Sequence, residues 1–346
     1  MVTWSGLRPN WVRDIVAAGM FAVLAAASPA AAQNTVPGRA MNANLGDANY
    51  GVCRGIDPAC FHNWPRPTAT TYRVLLYTRT AGPRHAALGP KLEAGLNPPL
   101  APENLVQAGM VKLAADNGIK LYYTEDLSQL MALDTYNAVI FYNTSRDNLD
   151  DDAKTALRQY MRAGGGFVAI HNAFGTLYNW PYYEGLLGGA NFYSHGPLRT
   201  GDVVVVNPKD ASMKGLPNRW ALEDEWYDLV PFPTHVRFLA TVDEKSYRPI
   251  TSPVQPMPAG GFPRRAPGSQ APKVVGSHPG HGDFHPVTWC QYYDGGKVWA
   301  TTLGHDARVF NVGEGAVPGG VEFQKMIMGG LKSVMGAEPF CVPAKP

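Results

Sequence analysis

From Arg73 onward the chain alternates short, wholly apolar runs with longer amphipathic ones. Arg73–Thr78 (RVLLYT), Ile119–Tyr123, Ala138–Tyr142 (AVIFY) and Phe167–Ile170 (FVAI) predict four strands buried on both faces. Between them, Pro102–Asn117 has helical spacing, and a second helix starts at Asp150, carries Leu157, Tyr160 and Met161 on one side, and ends at Gly164–Gly166. Strands and helices in strict alternation imply right-handed crossovers and a parallel sheet covered on both faces. Ligands bind such sheets beyond the carboxyl ends of the strands. After Trp180 the pattern changes to short strands over Asp202–Val206 and His235–Val242. A hairpin follows over Val287–Thr302, turning at Asp294-Gly295-Gly296, and a closing helix over Glu322–Met335. The stretch 248–284 is rich in proline and glycine and has no period, as expected of a lid or a mobile insertion.

The amino-terminal segment reads differently. Arg8 and Arg13 precede an apolar run from Ile15 to Ala27 that is too short to span a bilayer, and Ala30 and Ala32 occupy signal-peptidase positions. Residues 1–32 are therefore expected to be a signal peptide cleaved after Ala32, giving a periplasmic or secreted protein; the alternative is an anchor that is never removed. Residues 33–71 read as a loop-rich extension draped over the main domain, residues 72–346.

Lys+Arg 30 against Asp+Glu 28 leaves no basic face, so nucleic acid and, after leader cleavage, membrane are not expected partners. The four cysteines of an exported chain read as disulfides. Short separation favours Cys53 with Cys60, leaving Cys290 with Cys341, and the lack of a Cys-x-x-Cys pair disfavours zinc.

Strand Phe167–Ile170 runs straight into His171-Asn172-Ala173-Phe174-Gly175, where related α/β enzymes place a nucleophile elbow. A histidine there disfavours covalent acyl chemistry and makes His171 a candidate base or metal ligand. His85, His195 and His305 also follow apolar runs and are flanked by turn residues, the setting of a side chain facing a cleft. Glu223-Asp224-Glu225-Trp226-Tyr227 adds three carboxylates beside two aromatics; Glu223 suits a solvated turn and Glu225, against the aromatic pair, a site. His278, His281 and His285 (SHPGHGDFHP) are spaced for a metal clip, but glycine and proline around them favour a solvated loop.

These motifs resemble the ThuA-like (trehalose-utilisation) family. RVLLYTRTAGPRH, GGGFVAIHNAFGT, WPYYEGLLGGANFYSHGP, DEWYDL, VRFLATVDEKSY, HPVTWCQYYDGGKVWATTLGH and FQKMIMGGLKSVMG follow in family order from Arg73 to Gly336, with Pro83 where the family has an aromatic residue. The resemblance implies an α/β fold, a flavodoxin-like (class I glutamine amidotransferase-like) parallel sheet flanked by helices with added β-hairpins, lacking the cysteine nucleophile. It also implies sugar metabolism. The insertion and the leader set this chain apart from the cytoplasmic trehalose-pathway members and point to another sugar.

The expected activity is cleavage of an oxidised (3-keto) glycoside by elimination and hydration or by hydrolysis. A C3 ketone acidifies the C2 proton, so one base and one enolate stabiliser suffice without a glycosidase's paired carboxylates. His171, His305 and His195 are expected as acid-base groups or metal ligands, and Glu225 as their carboxylate partner. His85, Asn172, Tyr227 and a stacking face from Trp180 or Trp289 are expected to bind the sugar. A divalent metal ion held by His171, His195 and His305 is the expected cofactor, and a small carbohydrate or keto-glycoside the expected partner. The contrasting reading is a non-catalytic carbohydrate-binding or interaction protein on the same fold.

Overall fold

The computed structural model describes residues 50–64, 71–247, 280–311, 313 and 315–344. The expected leader, most of the extension and most of the insertion lie outside these residues.

The strands are β1 (Arg54–Gly55), β2 (Arg73–Tyr77), β3 (Lys120–Thr124), β4 (Ala138–Tyr142), β5 (Gly166–Ile170), β6 (Phe192–His195), β7 (Arg199–Val205), β8 (Arg219–Asp224), β9 (Tyr227–Leu229), β10 (Arg237–Asp243), β11 (His285–Tyr293) and β12 (Gly296–Thr301). The helices are α1 (Leu105–Asp116), α2 (Asp151–Arg162), α3 (Pro181–Leu186) and α4 (Gly320–Met335). Ten strands form one mixed sheet in the order β3-β2-β4-β5-β12-β11-β10-β7-β8, with β1 paired to β11; β6 and β9 form a separate ribbon.

The half from β3 to β12 is parallel throughout. Alternate residues of its strands feed opposite cores, as a doubly covered sheet requires. Leu76, Ile140, Val168 and Ile170 meet Val106 and Met110 of α1 and Phe323 and Met326 of α4. Leu75, Phe141, Phe167 and Ala169 meet Leu157 and Met161 of α2 and Tyr183 of α3. Helix α2 starts where expected because the Asp150 side chain accepts from Ala153 N at 2.8 Å, with Asp151 and Asp152 in the first turn. Helix α1 starts at Leu105 rather than at Pro102, because the Asn104 side chain is committed to Ala101 N and the Pro90 carbonyl.

Beyond β12 the expected parallel sheet turns antiparallel through β11, β10, β7 and β8. β8 and the β6–β9 ribbon were not expected from the sequence. The disulfides pair Cys53 with Cys60 and Cys290 with Cys341, at Cα separations of 5.3 and 5.7 Å. The first belongs to the extension, which docks through β1 on β11 and through His62 N–H donating to the Gly295 carbonyl at 2.9 Å. Two disulfides fit an oxidising, extracytoplasmic compartment. Among the described residues no helix is long and apolar enough to cross a membrane.

Candidate active site

The cleft lies beyond the carboxyl ends of the parallel strands, where a doubly wound sheet binds ligands. It encloses about 450 Å³ and its lining includes His85, Asn172, His195, Glu225, Tyr227 and His305.

His171 follows β5 directly with φ of 52°, a left-handed conformation rare for a non-glycine residue and of the kind an elbow turn imposes. Its ring is fully buried, with Nδ1 2.7 Å from the Thr302 carbonyl just past β12. A carbonyl only accepts, so Nδ1 carries the proton and Nε2 presents a lone pair. That lone pair accepts from the Tyr227 hydroxyl at 2.8 Å and lies 3.6 Å from Glu225 Oε2 and 3.3 Å from His305 Nδ1. Burial, then the charges of Glu225 and Asp224, keep the Tyr227 phenol protonated well above its ordinary pKa.

His305 is placed by a buried carboxylate. Asp224 accepts from Gly304 N at 2.7 Å, from Glu225 N at 2.8 Å and from His305 N at 3.2 Å, fixing one loop against the end of β8. Burial raises the Asp224 pKa, while its amide partners and the nearby histidines oppose the shift. Gly304, at φ of 114°, is required there: a Cβ would stand 2.9 Å from the Tyr142 hydroxyl and 3.0 Å from both Ile170 and Phe323. The Glu225 side chain turns into the cleft, 3.1 Å from His305 Nδ1. Burial pushes its pKa up, but its contacts with the His171 and His305 rings outweigh burial and hold it well below the carboxylate range. The same contact raises His305 against burial's downward pull.

His85 completes the group. Its ring stands 5.0 Å from that of His171 and 5.2 Å from that of His305, and its buried Nδ1 has no hydrogen-bond partner among the described residues. Burial, then the neighbouring His171 and His305, pushes its pKa down to about 3. Arg84 anchors the His85 loop: its guanidinium donates to Glu125 Oε1 at 2.8 Å and to the carbonyls of Leu88, Gly89 and Pro90.

His85, His171, Glu225 and His305 each offer one ligand atom, all within 4.8 Å of one another. Three imidazoles and a carboxylate suit a divalent transition metal. A neutral His85 with an orphaned nitrogen, and a His171 whose far nitrogen is held by a carbonyl as metal-binding histidines usually are, fit such an ion as well.

The expected site changes in three places. His195 lines the cleft but lies outside the ligand group: its Nδ1 donates to the Gly196 carbonyl at 2.6 Å and lies 3.7 Å from Glu225 Oε1. It is His85, not His195, that stands with His171, Glu225 and His305. Trp289 is no stacking face: it is fully buried, edge-on to Phe174 at 5.2 Å, with its indole N–H donating to the Leu187 carbonyl. Trp180 also lies off the cleft lining, stacked on Tyr182 at 5.1 Å. The aromatic wall is Phe192 against Tyr227, ring centres 4.2 Å apart. Asn172 lines the cleft, its amide donating to the Thr144 carbonyl at 2.9 Å.

Glu223 points outward to Arg308 at 2.7 Å. His278 lies outside the described residues. His285 is not solvated: it is fully buried, with Nδ1 2.7 Å from Glu244 and Nε2 3.0 Å from the Tyr227 carbonyl, and His281 Nε2 accepts from Leu229 N.

A mixed sheet whose parallel half lies between helix layers, with its site at the strand ends and a histidine at the elbow, defines an α/β protein of flavodoxin-like arrangement. Residues 73–332 match the ThuA family profile, described as trehalose utilisation, and the chain belongs to that family. Among solved structures it is similar to a putative ThuA-like protein from Bacteroides uniformis ATCC 8492, at 21% identity over 78% of this chain and 95% of that one, TM-score 0.53. A putative ThuA-like protein from Parabacteroides merdae ATCC 43184 is similar at 15% identity over 79% of this chain and 94% of that one, TM-score 0.52. At these identities the likeness speaks for the fold alone. No curated protein matches the chain.

Proposed function

We propose that this is an exported sugar-active enzyme that cleaves a 3-keto-glycoside with the help of a divalent metal ion. The observation that carries the reading is the His85–His171–Glu225–His305 group at the mouth of the sheet, its ligand atoms within 4.8 Å of one another. Membership of a family described by trehalose utilisation supports a sugar as substrate.

A cation held by these four residues would supply an electrophile for the C3 carbonyl oxygen. His195 supplies the base. With its Nδ1–H given to the Gly196 carbonyl, Nε2 is the free lone pair. It takes the C2 proton as the C–H pair moves into the carbonyl and makes an enolate. The enolate then expels the C1 substituent: the C1–O bond breaks, the leaving oxygen takes up a proton, and an unsaturated ketone remains. Water adds across C1 and C2 to give the free 3-keto sugar, so the net reaction is hydrolysis. Phe192 and Tyr227 present an apolar wall to the ring. Residues 1–32 act as the export signal, cleaved after Ala32; amino-terminal sequencing of the secreted protein should begin at Gln33.

The test is incubation of metal-loaded protein with a 3-keto-glucoside and, separately, its unoxidised parent. Turnover of the ketone alone, deuterium at C2 when the reaction runs in heavy water, and loss of both in His195→Ala support the reading. Cleavage of the parent glycoside, or full turnover after metal removal, overturns it.

A further inference from the structure

Two side chains of the cleft take no part in the ligand group. Ser145 and Arg146 follow β4 and line the same cavity as His85 and His305. Ser145 is 1% exposed, and its Oγ has no hydrogen-bond partner among the described residues. Arg146 Nη1 is likewise buried without a partner, and among the described residues no carboxylate lies within ion-pair distance of Arg146. Its guanidinium only approaches the Tyr178 ring, at 5.9 Å.

The backbone that presents this pair is held firmly. Arg146 sits at φ of 59°, donates its N–H to the Gly175 carbonyl at 2.9 Å and accepts from Leu177 N at 3.0 Å. Its stem crosses Gly82 so closely that a Cβ there would lie 2.1 Å from Arg146 Cγ. A left-handed non-glycine residue and two orphaned buried donors each cost stability, and such costs gather where a ligand is bound.

We propose that Ser145 and Arg146 form an anion subsite, so that the sugar taken by this cleft carries a carboxylate, as a uronic acid does. This rests on the reading of the cleft as a sugar site. A hydroxyl and a guanidinium both offer protons, so they call for an acceptor-only group. One guanidinium edge with one hydroxyl matches a monoanion in charge and in number of donors. The other arginine of the cleft, Arg84, already has an anion as partner: its Nη2 donates to Glu125 and to two carbonyls and its Nε to a third. A phosphate dianion would find too few partners here. The subsite would also orient the substrate, since a carboxylate held at the end of β4 fixes which ring carbon faces His195.

Calorimetric titration of the full chain with D-glucuronate, D-glucose, glucose 6-phosphate and acetate tests this. Glucuronate should bind roughly tenfold or more tightly than glucose. That preference should vanish in Arg146→Gln, which keeps the stem over Gly82, and weaken in Ser145→Ala. Arg146→Lys, which keeps the charge but not the fork, should retain part of it, and it serves as the control if Arg146→Gln fails to fold. Equal binding of glucuronate and glucose, a preference that survives Arg146→Gln, or no binding of any anion overturns the subsite. Tighter binding of glucose 6-phosphate than of glucuronate overturns the carboxylate assignment. Arg146-dependent binding of acetate, with glucuronate no tighter than acetate, leaves the anion subsite standing and removes the sugar reading.

Discussion

The Thr302 carbonyl, 2.7 Å from His171 Nδ1, decides which face of that imidazole the cleft receives. It holds the proton on the far nitrogen and aims Nε2 at Tyr227, Glu225 and His305. Nitrogen-15 NMR of chelator-treated protein should show neutral His171 as the Nδ1–H tautomer. Tyr227→Phe removes the hydroxyl that occupies the Nε2 lone pair, so metal affinity, measured by titration of the chelator-treated protein, should hold or rise with the fold intact. An Nε2–H tautomer would break this orientation argument.

Titration should separate His85 from His305 although their rings are 5.2 Å apart. Held down at about 3, His85 stays neutral at any pH near neutrality. His305 is raised above its ordinary 6.5 by Glu225. A histidine raised on folding stabilises the protein below the unfolded value and loses that contribution as pH rises through the folded one. Glu225, held low, stabilises above its ordinary 4.5 and loses the effect as pH falls through its folded value. The pair therefore contributes most between those two ordinary values and fades first on the alkaline side. In Glu225→Gln only burial and the more distant charges remain, and the His305 midpoint should drop; an unchanged midpoint by proton NMR would contradict the assignment.

Asp224 is the residue whose removal should disturb the site most without touching its cleft. Asp224→Asn can keep one acceptor oxygen for the three amides of Glu225, Gly304 and His305, and it turns a second donor group toward them. A loss of about 3 kcal/mol is expected, with His305 no longer fixed. Urea unfolding measures the first, and loss of the His305–Glu225 coupling in the titration above measures the second. A variant of unchanged stability would show that these amides find water instead.

The parts of this site legible in the sequence were those fixed by local pattern. FVAI followed at once by His171 could only place that histidine at a strand end, and the Glu225-Trp226-Tyr227 run could only bring its carboxylate beside aromatics. Asp224 carries a readable signal: Trp220, Leu222 and Asp224 alternate on the buried face of β8, so a charge on that side has to be satisfied internally. The choice between His85 and His195 as ligand had no local signal. It depends on how the loop after β2, clamped by Arg84 and Glu125, meets the loop after β12. Trp289 has no such signal, because every residue of β11 is buried, which leaves no period to tell a core face from a cleft face.

The Arg84–Glu125 clamp should matter to both stability and metal affinity. The Glu125 side chain is 2% exposed and receives Arg84 at 2.8 Å and the Thr78 hydroxyl at 3.2 Å. Glu125→Ala leaves the guanidinium without its anion and should cost about 3 kcal/mol. Because the same arginine ties down the carbonyls around the His85 loop, metal affinity should fall together with the melting temperature. Destabilisation with unchanged affinity would detach His85 from the clamp.

The two disulfides should contribute unequally. Cys290 and Cys341 lie 51 positions apart and tie the carboxyl-terminal tail to β11, whereas Cys53 and Cys60 are 7 apart within the extension. By chain entropy the longer loop is worth about 4 kcal/mol and the shorter about 2.5. The longer one also anchors the tail whose Cys341 carbonyl accepts from Arg237 at 3.0 Å and whose Val342 carbonyl accepts from Asn207. Replacing Cys290 and Cys341 together by alanine should therefore lower the melting temperature more than replacing Cys53 and Cys60. It should also loosen β10, which pairs with β11 on one side and β7 on the other. Hydrogen exchange along β10 checks that link, and faster exchange in the Cys53/Cys60 variant than in the Cys290/Cys341 variant would reverse the ranking.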